Sequence, residues 1–166
     1  MSEREHDQLM LSRLVGCWQG TLLHRGHADQ SFQQLAAKSH NRWVLGGRFI
    51  EMTLHADTSG EAWSAVFYIG YERSERRHVL VSLEPADRRV TTRLGDWRRE
   101  QGRLVLTSPQ SRAVCDVAVP GQLKLELTDA VAGREFVRFR GDYRSGAPSV
   151  VMKSAQPRAP RRFVIA

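Results

Sequence analysis

Alternation of apolar and polar side chains most constrains this chain, because it recurs in one short segment after another. Residues 50–55 and 122–127 alternate strictly, and Val79, Val81 and Leu83 form a similar apolar row. A period of two gives a strand one apolar face, as in an antiparallel sheet that buries one side. We therefore predict half-buried antiparallel strands whose apolar rows all face a common core.

Turn signals rich in glycine, proline and small polar residues separate ten such segments, Gly46-Gly47 and Pro120-Gly121 among them. No stretch of crossover-helix length lies between the segments, which excludes a parallel α/β sheet. Short connections favour an up-and-down meander, and closing it into a barrel removes the exposed strand edges. The sequence thus predicts an all-β fold, an antiparallel barrel of about ten strands, with strands near 17–25, 30–40, 47–56, 62–72, 77–84, 88–99, 102–108, 112–119, 122–129 and 134–144.

Both ends of the chain depart from this pattern. Residues 5–15 space their leucines at helical intervals, so we expect a short helix that Asp7 caps and Gly16 ends. Residues 145–166 are basic and contain three prolines, which predicts a tail that is either extended, with its last residues docked on the barrel, or disordered. The predicted organisation is a barrel domain over 1–144 and a C-terminal tail over 145–166.

The net charge of +7 comes mainly from arginine, which greatly outnumbers lysine. Guanidinium groups bind phosphates in a bidentate manner, so nucleic acid or an acidic protein is a candidate partner. Many arginines, however, stand in short pairs at predicted turns, such as Arg76-Arg77 and Arg98-Arg99. This dispersed pattern indicates a solvated surface and disfavours nucleic acid as a partner.

We predict the localisation from two kinds of segment that the sequence does not show, a membrane span and a secretory signal. No apolar run approaches the roughly 20 residues needed to span a bilayer. The first ten residues are acidic where a secretory signal would be basic. We therefore expect a cytoplasmic protein without a membrane span, in which Cys17 and Cys115 are reduced.

Four short motifs carry a family resemblance: Leu14–Gly20 (LVGCWQG), Gly46–Ile50 (GGRFI), Ile69–Tyr71 (IGY) and Asp142–Arg144 (DYR). Their order and spacing over residues 8–144 resemble an uncharacterised bacterial family of lipocalin-like (calycin) proteins. The chain is more distantly similar to nitrobindin-type ten-stranded barrels. These motifs are structural rather than catalytic, so the resemblance implies a barrel fold more than a function.

Within the first motif, Gly16-Cys17-Trp18 resembles the Gly-x-Trp signature that opens the first strand of lipocalin-like barrels. The resemblance implies that Trp18 closes the barrel floor and that an arginine of the last strand stacks on its ring. That strand offers Arg138 and Arg140, and we assign Arg140 to the floor.

No cofactor or catalytic constellation is predicted. Nitrobindin-type proteins bind haem through a histidine near the final strand, whereas this chain has no histidine beyond His78, which disfavours haem. The six histidines and two cysteines lack metal-ligand spacing, so no metal site is assigned. No nucleophile elbow, phosphate-binding loop or dinucleotide fingerprint occurs, so no catalytic residue is assigned.

A barrel of about ten strands is wider than its side chains readily fill, which predicts a cavity. We expect a small hydrophobic or amphipathic molecule to bind there, in contact with Met52, Phe67, Ile69, Trp97 and Arg138. A solidly packed core would use the same side chains and stays open as an alternative. Also open are an enzyme that uses the same cavity, a basic surface binder of nucleic acid or acidic protein, and a homodimer.

Overall fold

A computed structural model describes residues 3–57, 63–84 and 89–146 of the chain. The predicted turns at 58–60 and 85–87, and the predicted tail from residue 147 onward, lie outside the described residues. The described elements are α1 (Glu3–Ser12), β1 (Gly16–His24), β2 (Gln33–Val44), β3 (Phe49–Asp57), β4 (Trp63–Glu72), β5 (Arg77–Glu84), β6 (Arg89–Arg98), a short 3-10 helix (Arg99–Gln101), β7 (Arg103–Ser108), β8 (Ser111–Asp116), β9 (Gln122–Val131) and β10 (Arg134–Ser145).

The ten strands form a closed antiparallel barrel. Each strand pairs with its neighbours along the chain, and β1 also pairs with β10, where Gly20 lies opposite Tyr143. The barrel therefore has no free sheet edge. The predicted fold class, an antiparallel up-and-down barrel with a short N-terminal helix, is confirmed. No helix in the described part of the chain is long and apolar enough to cross a bilayer.

The helix α1 packs at one end of the barrel, which we call the α1 end. Leu11 and Leu14 are buried there. The Leu14 carbonyl oxygen accepts two side-chain hydrogen bonds, from Trp18 Nε1 at 2.9 Å and from Asn41 Nδ2 at 2.7 Å. Because Trp18 belongs to β1 and Asn41 to β2, these bonds attach the chain that follows α1 to two adjacent strands.

The inward face of β5 differs from the prediction. Ile69 of β4 pairs with Leu80, and Phe67 pairs with Ser82. Directly paired residues point to the same side of a sheet, and Phe67, Ile69 and Leu80 belong to the core. The even-numbered residues of β5 therefore face the interior. The prediction that Val79, Val81 and Leu83 face the core is wrong. The short turn between β4 and β5 sets this register, and it overrides the apolar pattern.

Neighbouring strands of the barrel approach each other closely at particular glycine residues. A Cβ atom at Gly95 of β6 would lie 1.8 Å from the carbonyl oxygen of Val105 on β7. Glycine inside a strand marks such bends and close approaches. The predicted turn at Gly46-Gly47 is confirmed, and the φ angles of these residues, +67° and +73°, lie in the region that favours glycine.

We expect Gly95→Ala to destabilise the barrel by about 3 kcal/mol or more, because the new methyl group overlaps backbone that cannot move independently. Urea unfolding followed by far-UV circular dichroism measures this change. Gly26→Ala is the matched control, because a Cβ there meets the far end of the Gln30 side chain at 3.1 Å. Equal losses in the two variants would contradict the assigned role of Gly95.

Candidate ligand-binding cleft

The centre of the barrel is almost filled by side chains. A cavity of about 20 Å³ remains, lined by Met52, Phe67 and Ile69 together with six further core residues and two half-buried ones. A volume of this size holds about one water molecule. Three of the predicted ligand-binding residues therefore meet at one small cavity, whereas the other two, Trp97 and Arg138, lie near opposite ends of the barrel.

Arg138 belongs to a buried charged group at the end opposite α1. Its guanidinium contacts Glu84 Oε1 at 2.5 Å and Asp129 Oδ2 at 3.2 Å. All three side chains are at most 6% exposed. Arg93, which is 1% exposed, donates nearby hydrogen bonds to the hydroxyl groups of Ser82 and Ser111. We call these six residues the buried arginine cluster.

A β-bulge turns Arg138 inward. Val137 pairs with Thr128 and Phe139 pairs with the next residue, Leu127, so that Arg138 is the extra residue. Such a bulge re-aims a side chain locally. Arg25 satisfies the freed backbone, because its amide donates to the Arg138 carbonyl at 2.9 Å and its Nε to the Val137 carbonyl at 2.7 Å.

Trp18 and Arg140 lie apart. Trp18 is 4% exposed and lies at the α1 end, opposite Ser145 of β10. Arg140 lies on the outside of β10, where its guanidinium is 58% exposed and pairs with Glu126 at 2.8 Å. The structure therefore places Arg140 away from the Trp18 ring that it was predicted to cover, because alternation beyond the bulge turns this side chain outward.

His78 lies at the α1 end and is 2% exposed. Its ring stands edge-on to the rings of Tyr71 and Trp97, with centroid separations of 5.3 and 6.2 Å. Neither imidazole nitrogen has a hydrogen-bond partner among the described residues, and Trp97 Nε1 and Tyr143 Oη also lack one. Buried polar atoms are nearly always paired, so the unpaired groups of His78 and Trp97 at the α1 end require an explanation.

Burial lowers the pKa of His78, because desolvation disfavours the imidazolium form. The negative charges of Asp7 and Asp96 oppose this shift, and the positive charge of Arg99 adds to it. The ring is therefore neutral at physiological pH. A neutral imidazole offers one N–H donor and one nitrogen acceptor.

A cleft of about 600 Å³ opens at the α1 end beside His78. It lies between α1, the β2–β3 turn and the β4–β5 turn. We call it the α1 cleft; it is lined by Asp7, Gln8, Leu11, Trp43, Gly47, Arg48, Phe49, Tyr71, Glu72, Arg73 and His78. Its volume lies within the range of small-molecule sites.

The charged groups of the α1 cleft are unequally engaged. Asp7 pairs with Arg99 at 3.3 Å, and Glu72 accepts hydrogen bonds from the amide and hydroxyl of Ser74. Arg48 and Arg73 are exposed, and within the described residues neither guanidinium forms an ion pair. The cleft thus combines aromatic walls, a neutral histidine and two available positive charges.

A model of the family described as a protein of unknown function, DUF1579, matches residues 2–115, more than half of the chain. The chain belongs to the DUF1579 family. The matched part contains every residue that lines the α1 cleft in this DUF1579 barrel, whereas Arg138 lies beyond it. No curated protein matches the chain.

The sequence reasoning missed His78 and the acidic members of the buried arginine cluster. The signal for His78 lay in the pairing of the β4–β5 hairpin, in which Tyr71 stands opposite His78. Once Phe67 and Ile69 are assigned to the core, alternation along this hairpin turns His78 inward. Among the described residues, no three metal-ligating side chains come together.

Surface arginines of the DUF1579 barrel pair with carboxylates across adjacent strands. Such ion pairs join β2 to β3, β5 to β6, β7 to β8 and β9 to β10, and they are Arg42–Glu51, Arg77–Asp96, Arg103–Asp116 and Arg140–Glu126. These charges are therefore spread around the barrel and are locally compensated.

We expect Arg138→Met to destabilise the protein by about 3–5 kcal/mol, because the change leaves Glu84 and Asp129 buried beside an apolar side chain. Arg140→Met, two residues along the same strand, removes an exposed pair and should cost about 1 kcal/mol or less. Urea unfolding at neutral pH compares the two variants. A similar loss in both would contradict the assignment of Arg138 to a buried ion pair.

The lowered pKa of His78 predicts a pH-dependent stability. The unfolded state binds the proton more readily than the folded state, so the free energy of unfolding should decline as the pH falls below 6.5, toward the folded-state pKa. His78→Phe should flatten this decline, whereas His55→Ala, on the outside of β3, should leave it unchanged. Urea titrations across this pH range measure the slopes, and identical slopes for wild type and His78→Phe would contradict the prediction.

Proposed function

We propose that this DUF1579 domain binds a small amphipathic anion, and that the ligand lies in the α1 cleft. One observation carries the proposal: the cleft holds about 600 Å³, whereas the central cavity holds about 20 Å³. An organic molecule therefore fits at the end of the barrel and not in its centre. This position revises the predicted site while keeping the predicted ligand class.

The walls of the α1 cleft suit the apolar part of such a ligand. Leu11, Trp43, Phe49 and Tyr71 contribute apolar and aromatic surface from α1 and three different strands. Burial of apolar ligand surface contributes roughly 25 cal/mol per Å² before the costs of association are subtracted. Aromatic side chains add geometric selectivity for flat groups.

The rim of the α1 cleft suits an acidic head group. Arg48 lies in the β2–β3 turn and Arg73 in the β4–β5 turn, so the two guanidinium groups come from neighbouring turns at the α1 end. Guanidinium groups form charge-assisted hydrogen bonds to carboxylates, sulfonates or phosphates. The acidic residues of the cleft are already engaged with Arg99 and Ser74, which leaves the arginines available to the ligand.

The fluorescent sulfonate 1-anilinonaphthalene-8-sulfonate tests this function, because it combines a flat apolar body with one negative charge. We expect saturable binding to the natively folded protein, and an affinity about tenfold lower in the charge-reversed variant Arg48→Glu/Arg73→Glu. Arg112→Glu, on the outer face of β8, is the control and should bind as wild type.

Competition by octanoate, but not by octylammonium at the same concentration, would further support an anion site. Near-UV circular dichroism must show native tertiary structure in each variant, because this dye also binds partly unfolded proteins. Absence of binding, or equal binding by the charge-reversed variant, would refute the proposal.

A further inference from the structure

An anionic head group accounts for Arg48 and Arg73 at the rim of the α1 cleft, but it leaves the floor unexplained. His78 lies there with 2% exposure, and both of its ring nitrogens lack a partner among the described residues. Trp97, which packs edge-on against the same imidazole, is not among the residues that line the cleft. The nitrogens of His78 are already buried, and a purely apolar ligand end would leave them unsatisfied.

The hydrogen-bonding capacity of this floor can be counted. A neutral imidazole supplies one donor and one acceptor, and its two nitrogens point in different directions. One ligand group can therefore pair with only one of them, which is the donor in one tautomer and the acceptor in the other. A hydroxyl group pairs with this nitrogen in either tautomer, because it donates to a bare nitrogen and accepts from an N–H.

We propose that the α1 cleft recognises a hydroxyl group at the buried end of its ligand, and that His78 binds this group. The inference rests on the proposed function and specifies the ligand class further. The ligand is an amphipathic acid that carries its negative charge at one end and a hydroxyl group at the other. An ammonium group is a poorer match, because it can only donate and therefore pairs with one tautomer of the imidazole alone.

A pair of probes that differ in one hydroxyl group tests the inference. 3-Phenylpropanoate and its para-hydroxy derivative have the same charge and nearly the same shape, and each can displace the anilinonaphthalene sulfonate dye. For the wild type we expect about tenfold tighter binding of the hydroxylated probe, since the apolar probe leaves buried polar atoms unpaired. The ratio of the two dissociation constants is the readout.

Three variants test whether His78, at the floor of the α1 cleft, causes this preference. His78→Phe keeps a ring but removes both nitrogens, and the preference should fall to about twofold or less. His78→Gln keeps one donor and one acceptor and should retain most of the preference. His55→Ala, exposed on the outside of β3, should behave as wild type.

The outcomes separate this inference from the proposed function. Wild type that binds both probes equally, or His78→Phe that retains the full preference, would overturn hydroxyl recognition while leaving anion binding intact. Failure of the dye and of both probes to bind would overturn the two proposals together. Should His78→Phe not fold, His78→Gln provides the second test, and loss of the preference in that variant would likewise overturn the assignment.

Discussion

The uninterrupted hydrogen-bonded ring of ten strands determines which side chains share the interior. Once β1 pairs with β10, a strand cannot slip by one residue without turning all of its side chains over. For β5, this constraint brings His78, Ser82 and Glu84 inside and turns a row of aliphatic residues outward. The interior is consequently apolar in the middle and polar toward both ends.

The two ends of the barrel accommodate their buried polar groups differently. At the end opposite α1, the groups are charged, and Arg138 contacts both Glu84 and Asp129 within the barrel. Buried charges need partners, because an isolated one costs several kcal/mol. At the α1 end, the buried groups of His78 and Trp97 are uncharged, and an unpaired neutral group costs about 1–3 kcal/mol. At this second end, polar atoms can therefore remain without a protein partner at a tolerable cost in stability.

The sequence predicted the regular elements well, because each depends on neighbouring residues. Alternation and turn residues placed all ten strands within a few residues of their observed ends, and helical spacing located α1. The helix nevertheless spans Glu3–Ser12, so Asp7 does not cap it and Gly16 does not end it, contrary to the prediction. The same reasoning failed where a contact between strands decides the outcome. The inward face of β5 depends on its register with β4, and the inward turn of Arg138 depends on a bulge opposite β9. Neither is visible in the pattern of one strand.

Site prediction failed for a related reason. Met52, Phe67 and Ile69 were correctly assigned to the interior, but the free volume beside them depends on how all the core side chains fit together. His78 did not stand out because a single histidine in a strand has no motif. It becomes conspicuous only when its unpartnered nitrogens are seen beside a cleft.

The bulge in β10 divides that strand into two halves whose alternation is out of phase. Before it, Val137 pairs with Thr128, and after it, Phe139 pairs with Leu127. Elsewhere in β10, inserting or deleting one residue would exchange the inner and outer side chains along the remainder of the strand. At the bulge itself, the same change only alters how many residues are looped out between two fixed registers. This position is therefore where the closed ring can accommodate an inserted residue while the registers on both sides are kept, whereas a deletion there would remove the buried Arg138.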